Sequence, residues 1–122
     1  MGENMWEVEY TDEFAEWWQT LTEVQQNAIA ASVEVLARNG PSLGRPRVDS
    51  VKGSRHSNMK ELRTQQAGRP FRTFFVFDPR RGAILLIGGC KAGDKRFYER
   101  MIPIADELYD VYLAELRKEG LI

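Results

Sequence analysis

The sequence predicts one α+β domain: an N-terminal strand and a helical hairpin, an antiparallel three-strand meander and a C-terminal helix, with the helices packed on one sheet face. Three observations lead there. The hydrophobic spacing switches between the two-residue period of strands and the 3.6-residue period of helices. Short turn-forming segments fall only in the middle of the chain, between apolar runs. The 122 residues, 43% of them hydrophobic, suit a single domain with a real core, taken as residues 1–122.

Residues 5–10, MWEVEY, alternate Trp6, Val8 and Tyr10 with Glu7 and Glu9, the pattern of a half-buried strand. Phe14, Trp17, Trp18 and Leu21 then recur at helical spacing after a Thr-Asp pair suited to an N-cap. The tryptophans read as core. TEVQ, residues 22–25, has the form of a capping box, in which Thr22 and Gln25 satisfy each other's backbone N–H groups. Val24, Ala28, Ala31 and Val35, widened by Ile29 and Leu36, predict the buried face of a second helix, which Asn39-Gly40-Pro41 ends. Residues 41–57 show no period and predict a long loop, a length more often functional than idle. Three strands follow at 58–65, 71–77 and 83–89, separated by the turn segments QAGRP and DPRRG. Tyr98, Ile102, Ala105, Tyr109, Tyr112 and Leu116 predict a last helix, with Pro103 just inside its start.

The lone Cys90 permits no internal disulfide and no cysteine zinc site, and reads as a small residue at a strand end. No signal peptide and no apolar run of roughly 20 residues is visible, so a cytoplasmic protein is expected. The net charge of −1 is an average over unlike regions. Residues 1–37, 38–96 and 97–122 carry formal charges of −8, +10 and −3. The middle segment is expected to form a positive face that attracts polyanions.

That face gathers candidates for phosphate chemistry. If Leu62 points into the core, Glu61 and Arg63 point to the other side of the strand. Arg72 lies across the next turn, Lys91 ends the third strand, and Lys95, Arg96, Phe97 and Tyr98 follow it. Arginine suits bidentate phosphate contacts, lysine acts as a point charge, and Phe97 or Tyr98 offers a ring for base stacking. Lys52, Arg55 and Lys60 extend the candidate RNA-binding set into the loop. RNA can be cleaved through its own 2′-OH by a base, a cationic stabiliser and an acid. Glu61, a lysine of lowered pKa or Tyr98 suits the proton roles, and Arg63 and Arg72 the charge role. Glu61 reads equally as an ion-pair partner of Arg63 or Lys60. His56 reads as a solvated loop residue or an RNA contact. No HxxxH, cysteine pair, acid cluster or P-loop supports a metal or nucleotide cofactor, and none is expected.

The run NMKELR, a turn, RPFRTFFVFDPRRGAILLIGG and KAGDKRFYERMIPIADELY resembles the phage-related HigB-type branch of the RelE/ParE toxin superfamily. The resemblance covers nearly the whole chain and implies a RelE-like fold. It implies the toxin of a type II toxin–antitoxin system, cleaving mRNA on the ribosome without a metal. It also implies control by a cognate helix-turn-helix, HigA-like antitoxin, with DNA met only through that antitoxin and no membrane partner. Carried over by position, Arg63 and Arg72 match the strand cations around the scissile phosphate, and Lys91 the basic position after the last strand. Phe97 or Tyr98 matches the aromatic position that follows, and Glu61 stands where some relatives have lysine. The same resemblance admits a ParE-like gyrase poison, or an inactive member acting as an antitoxin-bound co-repressor.

Overall fold

The computed structural model describes residues 5–78, 80 and 82–122. Strand β1 (Glu7–Tyr10) is followed by α1 (Asp12–Gln19) and α2 (Glu23–Asn39). A short 3-10 turn (Gly40–Ser42) leads to β2 (Val48–Ser50), β3 (Lys60–Gln66), β4 (Arg69–Asp78), β5 (Gly82–Cys90) and α3 (Phe97–Lys118). The five strands lie in the order β1-β5-β4-β3-β2. β1 runs parallel to β5, and the other pairs are antiparallel. The α+β class, the meander and the flanking helices are as the sequence predicts.

Local chemistry sets the helix starts. Thr11 caps α1 by accepting from Phe14 N at 3.0 Å, and its hydroxyl donates to Leu86 O at 2.7 Å, which ties the helix to β5. The expected capping box opens α2: Thr22 Oγ1 accepts from Gln25 N, and Gln25 Oε1 accepts from Thr22 N. The buried face of α2 is centred on Ile29, Leu36 and Ala37, whereas Val24 in the first turn is 61% exposed.

The helices do not share one face, and that expectation is corrected. Phe14, Leu36, Val48, Leu62, Phe75, Ala83 and Leu85 form one core layer, between the sheet and α1–α2. Met59, Phe74, Val76, Ile84, Leu86, Phe97, Met101, Ile102, Ala105 and Tyr109 form another, beneath α3 on the opposite face. Strand alternation requires this, because neighbours such as Phe74 and Phe75, or Ile84 and Leu85, are both buried and point opposite ways. A bulge lets β5 supply more to the α3 side. The register passes from Phe75↔Leu85 to Phe74↔Ile87, so Leu86 is extra, and both Leu86 and Ile87 pack into the α3 layer. The two glycines that follow admit a ring on each face. A Cβ on Gly88 would lie 2.3 Å from the Trp17 ring, and one on Gly89 2.9 Å from the Phe97 ring.

Three further expectations change. The long loop contains β2, a three-residue edge strand paired with β3, too short to show a period. The QAGRP turn shrinks to Ala67-Gly68, both at positive φ, the geometry of a two-residue hairpin. Part of the DPRRG turn, Pro79 and Arg81, lies outside the described residues. Pro103 lies inside α3, which begins six residues earlier, at Phe97. Burial of Phe97, Met101 and Ile102 carries the helix through the proline, and Glu99, four residues before it, is exposed along with Pro103.

Candidate active site

The β3–β4 hairpin places two arginines directly opposite one another, Arg63↔Arg72, on the face covered by the first turn of α3. Two residues back along β3, on that same face, lies Glu61, 4% exposed. Tyr98 reaches down from α3 and donates its hydroxyl to Glu61 Oε1 at 2.7 Å. Arg72 Nε donates to the same hydroxyl at 3.3 Å and stands 3.7 Å from Glu61 Oε1. The other carboxylate oxygen, Glu61 Oε2, accepts from Arg63 Nε at 3.2 Å and Nη2 at 3.0 Å. Lys91, just past β5, holds its Nζ over the Tyr98 ring, 5.2 Å from the centroid.

The unused donors define what the cluster can do. Arg63 engages Nε and Nη2, and Arg72 engages Nε and Nη1, the latter on Phe71 O. Arg63 Nη1 and Arg72 Nη2 therefore have no hydrogen-bond partner among the described residues. Among those residues the buried unpaired side-chain polar atom is Thr73 Oγ1, so both free guanidinium nitrogens reach solvent. Two cations offering unspent N–H groups side by side suit a phosphate. Burial pushes the Tyr98 pKa up, and its bond to Glu61 adds to the rise, so the phenol stays protonated at neutral pH.

The sequence-derived candidates divide. Glu61, Arg63, Arg72, Lys91 and Tyr98 converge, and the ion-pair reading of Glu61 with Arg63 describes its resting contact. Phe97 does not join them. It is 2% exposed and stacks on Phe74 at 6.0 Å, so the choice between the two rings falls on Tyr98. Lys60 shares the α2-facing side of β3 with Leu62 and with Thr64, which bonds Ser32 of α2, and so points away from Glu61. Lys52, Lys95 and Arg96 are exposed.

The basic loop is anchored to α3. Arg55 pairs with Asp110, and its backbone N–H donates to Asp106 Oδ2 at 3.1 Å. His56 is corrected too: it is mostly buried, its Nε2 2.7 Å from Asp110 Oδ1 and its ring edge-on to Tyr109. The acids that hold this loop come from a helix more than 50 residues away, which is why no partner of His56 is visible in the sequence. Asp49, outside the sequence-derived set, joins the cluster as well. On β2 this carboxylate accepts from Arg63 Nη2 at 3.3 Å and lies 3.1 Å from Arg45 Nη2. The bond from Arg45 lowers its pKa against the opposing effect of burial. The available signal was that Asp49 is the single acid between Glu34 and Glu61.

Comparison with known proteins adds the family. Residues 16–110 match the model described as phage derived protein Gp49-like. The chain belongs to the Gp49-like family. Among its relatives, a Mycobacterium tuberculosis protein bearing the provisional toxin name HigB3 is 46% identical over 99 residues, covering 80% of this chain and 85% of that one. A second M. tuberculosis protein, provisionally named toxin HigB2, is 46% identical over 101 residues, covering 81% of this chain but only 50% of that one. Among solved structures, a free-state mutant of the E. coli toxin RelE aligns at a TM-score of 0.55 and 8% identity, over 80% of this chain and 95% of RelE. The RelE–RelB complex of Pyrococcus horikoshii gives 0.52 at 11% identity, over 73% of this chain and 98% of that one. This Gp49-like chain thus has the RelE fold.

Proposed function

We propose that the chain is the toxin of a type II toxin–antitoxin pair, and that it cleaves ribosome-bound mRNA through the message's own 2′-OH. The observation that carries this reading is the cross-strand Arg63–Arg72 pair, with a free guanidinium nitrogen on each, beside the Tyr98–Glu61 hydrogen bond. The scissile phosphate docks on Arg63 Nη1 and Arg72 Nη2, which neutralise the charge that grows on the phosphorane. Glu61 takes the 2′-OH proton. The 2′-oxygen bonds phosphorus as the P–O5′ bond breaks. Tyr98 gives its proton to the leaving 5′-oxygen and recovers one from Glu61 across their 2.7 Å bond. The products are a 2′,3′-cyclic phosphate and a 5′-OH. Lys91, Lys52, Lys95 and Arg96 add sequence-independent attraction for RNA.

The toxin names of the HigB-type relatives support the biological role, and RelE is seen bound to RelB in solved complexes. By analogy a cognate antitoxin, of helix-turn-helix HigA-like type, restrains this chain and supplies any DNA contact. The test is purified protein added to mRNA-programmed ribosomes, with cleavage mapped by primer extension. Cuts that vanish with Arg63→Ala and Arg72→Ala are expected. Intact mRNA, together with inhibited DNA supercoiling by gyrase, would replace this reading with a gyrase poison.

A further inference from the structure

We infer that Asp49, which the edge strand β2 brings to the cluster, is a positioning residue that fixes which nitrogen of Arg63 is presented to substrate. The inference rests on the proposed cleavage reaction and goes beyond it by adding a residue that touches neither phosphate nor 2′-OH. An arginine fork has five N–H groups. On Arg63 the Nε and Nη2 edge is held by Glu61 Oε2, at 3.2 and 3.0 Å. Asp49 Oδ2 takes a further Nη2 bond at 3.3 Å. The carboxylates come from different strands, β3 and β2, and their backbones are register partners, Asp49↔Glu61. Glu61 alone would leave the fork able to swing about one shared oxygen. With Nε and Nη2 held by the two carboxylates, Nη1 is the Arg63 nitrogen left without a partner among the described residues.

Holding an anion-binding arginine with two anions has an electrostatic cost, since negative charge beside a phosphate site opposes binding. Arg45 offsets it. Its Nη2 lies 3.1 Å from the same Asp49 oxygen, and its side chain is 75% exposed, so Asp49 is neutralised from outside while Arg63 is oriented from inside. Arg63, at 34% side-chain exposure, is loosely packed and needs such a tether, whereas Arg72, at 11%, is fixed by its surroundings.

The experiment is a mutant cycle on ribosome-dependent cleavage with wild type, Asp49→Ala, Asp49→Asn, Arg63→Ala and the double variant Asp49→Ala/Arg63→Ala. Asp49→Ala is expected to lower kcat by about ten- to a hundredfold, the effect of misplacing a reacting group, with KM little changed. Asp49→Asn, which keeps an acceptor oxygen, is expected to recover part of that loss. In the Arg63→Ala background, removing Asp49 should cost nothing more, because its effect passes through Arg63. Losses that multiply in the double variant would overturn the inference, as would an Asp49→Ala enzyme with wild-type kcat or with lowered KM, the sign of simple electrostatic drag. Thermal unfolding of each variant separates misfolding from mispositioning. Wild-type protein that cuts no mRNA would instead sink the reaction itself.

Discussion

The α3 face of the sheet holds the same chemical kit twice. At one end Tyr98 donates to the buried Glu61 at 2.7 Å, with Arg63 and Arg72 alongside. At the other, Tyr112, fourteen residues along the same helix, donates to the buried Asp78 at 2.7 Å, with Arg80 alongside. Both carboxylates are about equally inaccessible, at 4% and 5% exposure. The difference lies in the surplus. Arg80 directs Nη2 to Asp78 at 3.1 Å and to Tyr112 at 2.7 Å, and Glu9 approaches as a second acid. There the described acids match or exceed the described cations, and the cluster clamps the β4–β5 turn to α3. Around Glu61, Arg45, Arg63, Arg72 and Lys91 outnumber Glu61 and Asp49. On the proposed reading, a tyrosine–carboxylate–arginine set serves as a phosphate site where its cations exceed its anions, and as a fastener where they do not.

The sharpest way to break that contrast is to remove arginines at both ends. Arg63→Ala or Arg72→Ala is expected to lower mRNA cleavage by about 10²–10³-fold, as for loss of a donor to a developing charge. Arg80→Ala should leave the cleavage rate at the wild-type level, and equal losses at both ends would dissolve the distinction. Next come the tyrosines. Tyr98→Phe should slow cleavage by about 10²-fold, as expected for a general acid. Tyr112→Phe should spare cleavage and instead reduce unfolding free energy by about 1–3 kcal/mol, because buried Asp78 loses a donor; urea denaturation reads this directly.

The pH dependence of stability sharpens the clamp further. Burial raises the Asp78 pKa, but bonds from Tyr112 and Arg80 outweigh it and leave it below the ordinary 3.8. Its contribution is therefore present above that value and lost as pH falls through the depressed one. Tyr112 is raised by burial and by Asp78, and Tyr98 by burial and Glu61. Their contributions are full below about 10 and lost as pH rises through the raised values. Denaturation midpoints across pH should show the acid limb flattened in Asp78→Asn and the alkaline limb flattened in Tyr112→Phe. The smallest effect is expected at Lys91, where Ala removes a partly exposed cation–π contact worth about 0.5–1 kcal/mol. A severalfold rise in the KM for ribosomes, with kcat held, would be its signature.

Much of the fold was legible because it is written in short-range pattern. The capping box, the alternation of β3, the apolar run of β5 and the glycines before Cys90 each act within a few residues. The site was half legible for the same reason. Glu61 and Arg63 are two apart on one strand, and Arg72 follows a short turn, so hairpin geometry alone brings them together. His56 and Phe97 were misplaced because their surroundings come from other parts of the chain. Phe97 and Tyr98 look alike as neighbours, and only the rotation of α3 over the sheet sends one to Phe74 and the other to Glu61.

Local chemistry in the sequence set every strand and α-helix but β2, their order and the charge asymmetry, because capping, periodicity and turn preferences act over a few residues. It also carried the two arginines that face each other across a hairpin. Tertiary structure alone decided that helices cover both faces of the sheet and that the basic loop is tied to Asp106 and Asp110. It also decided that a three-residue edge strand delivers Asp49 to Arg63. Those outcomes depend on which distant surfaces bury each other, a choice made by the packing of the whole chain.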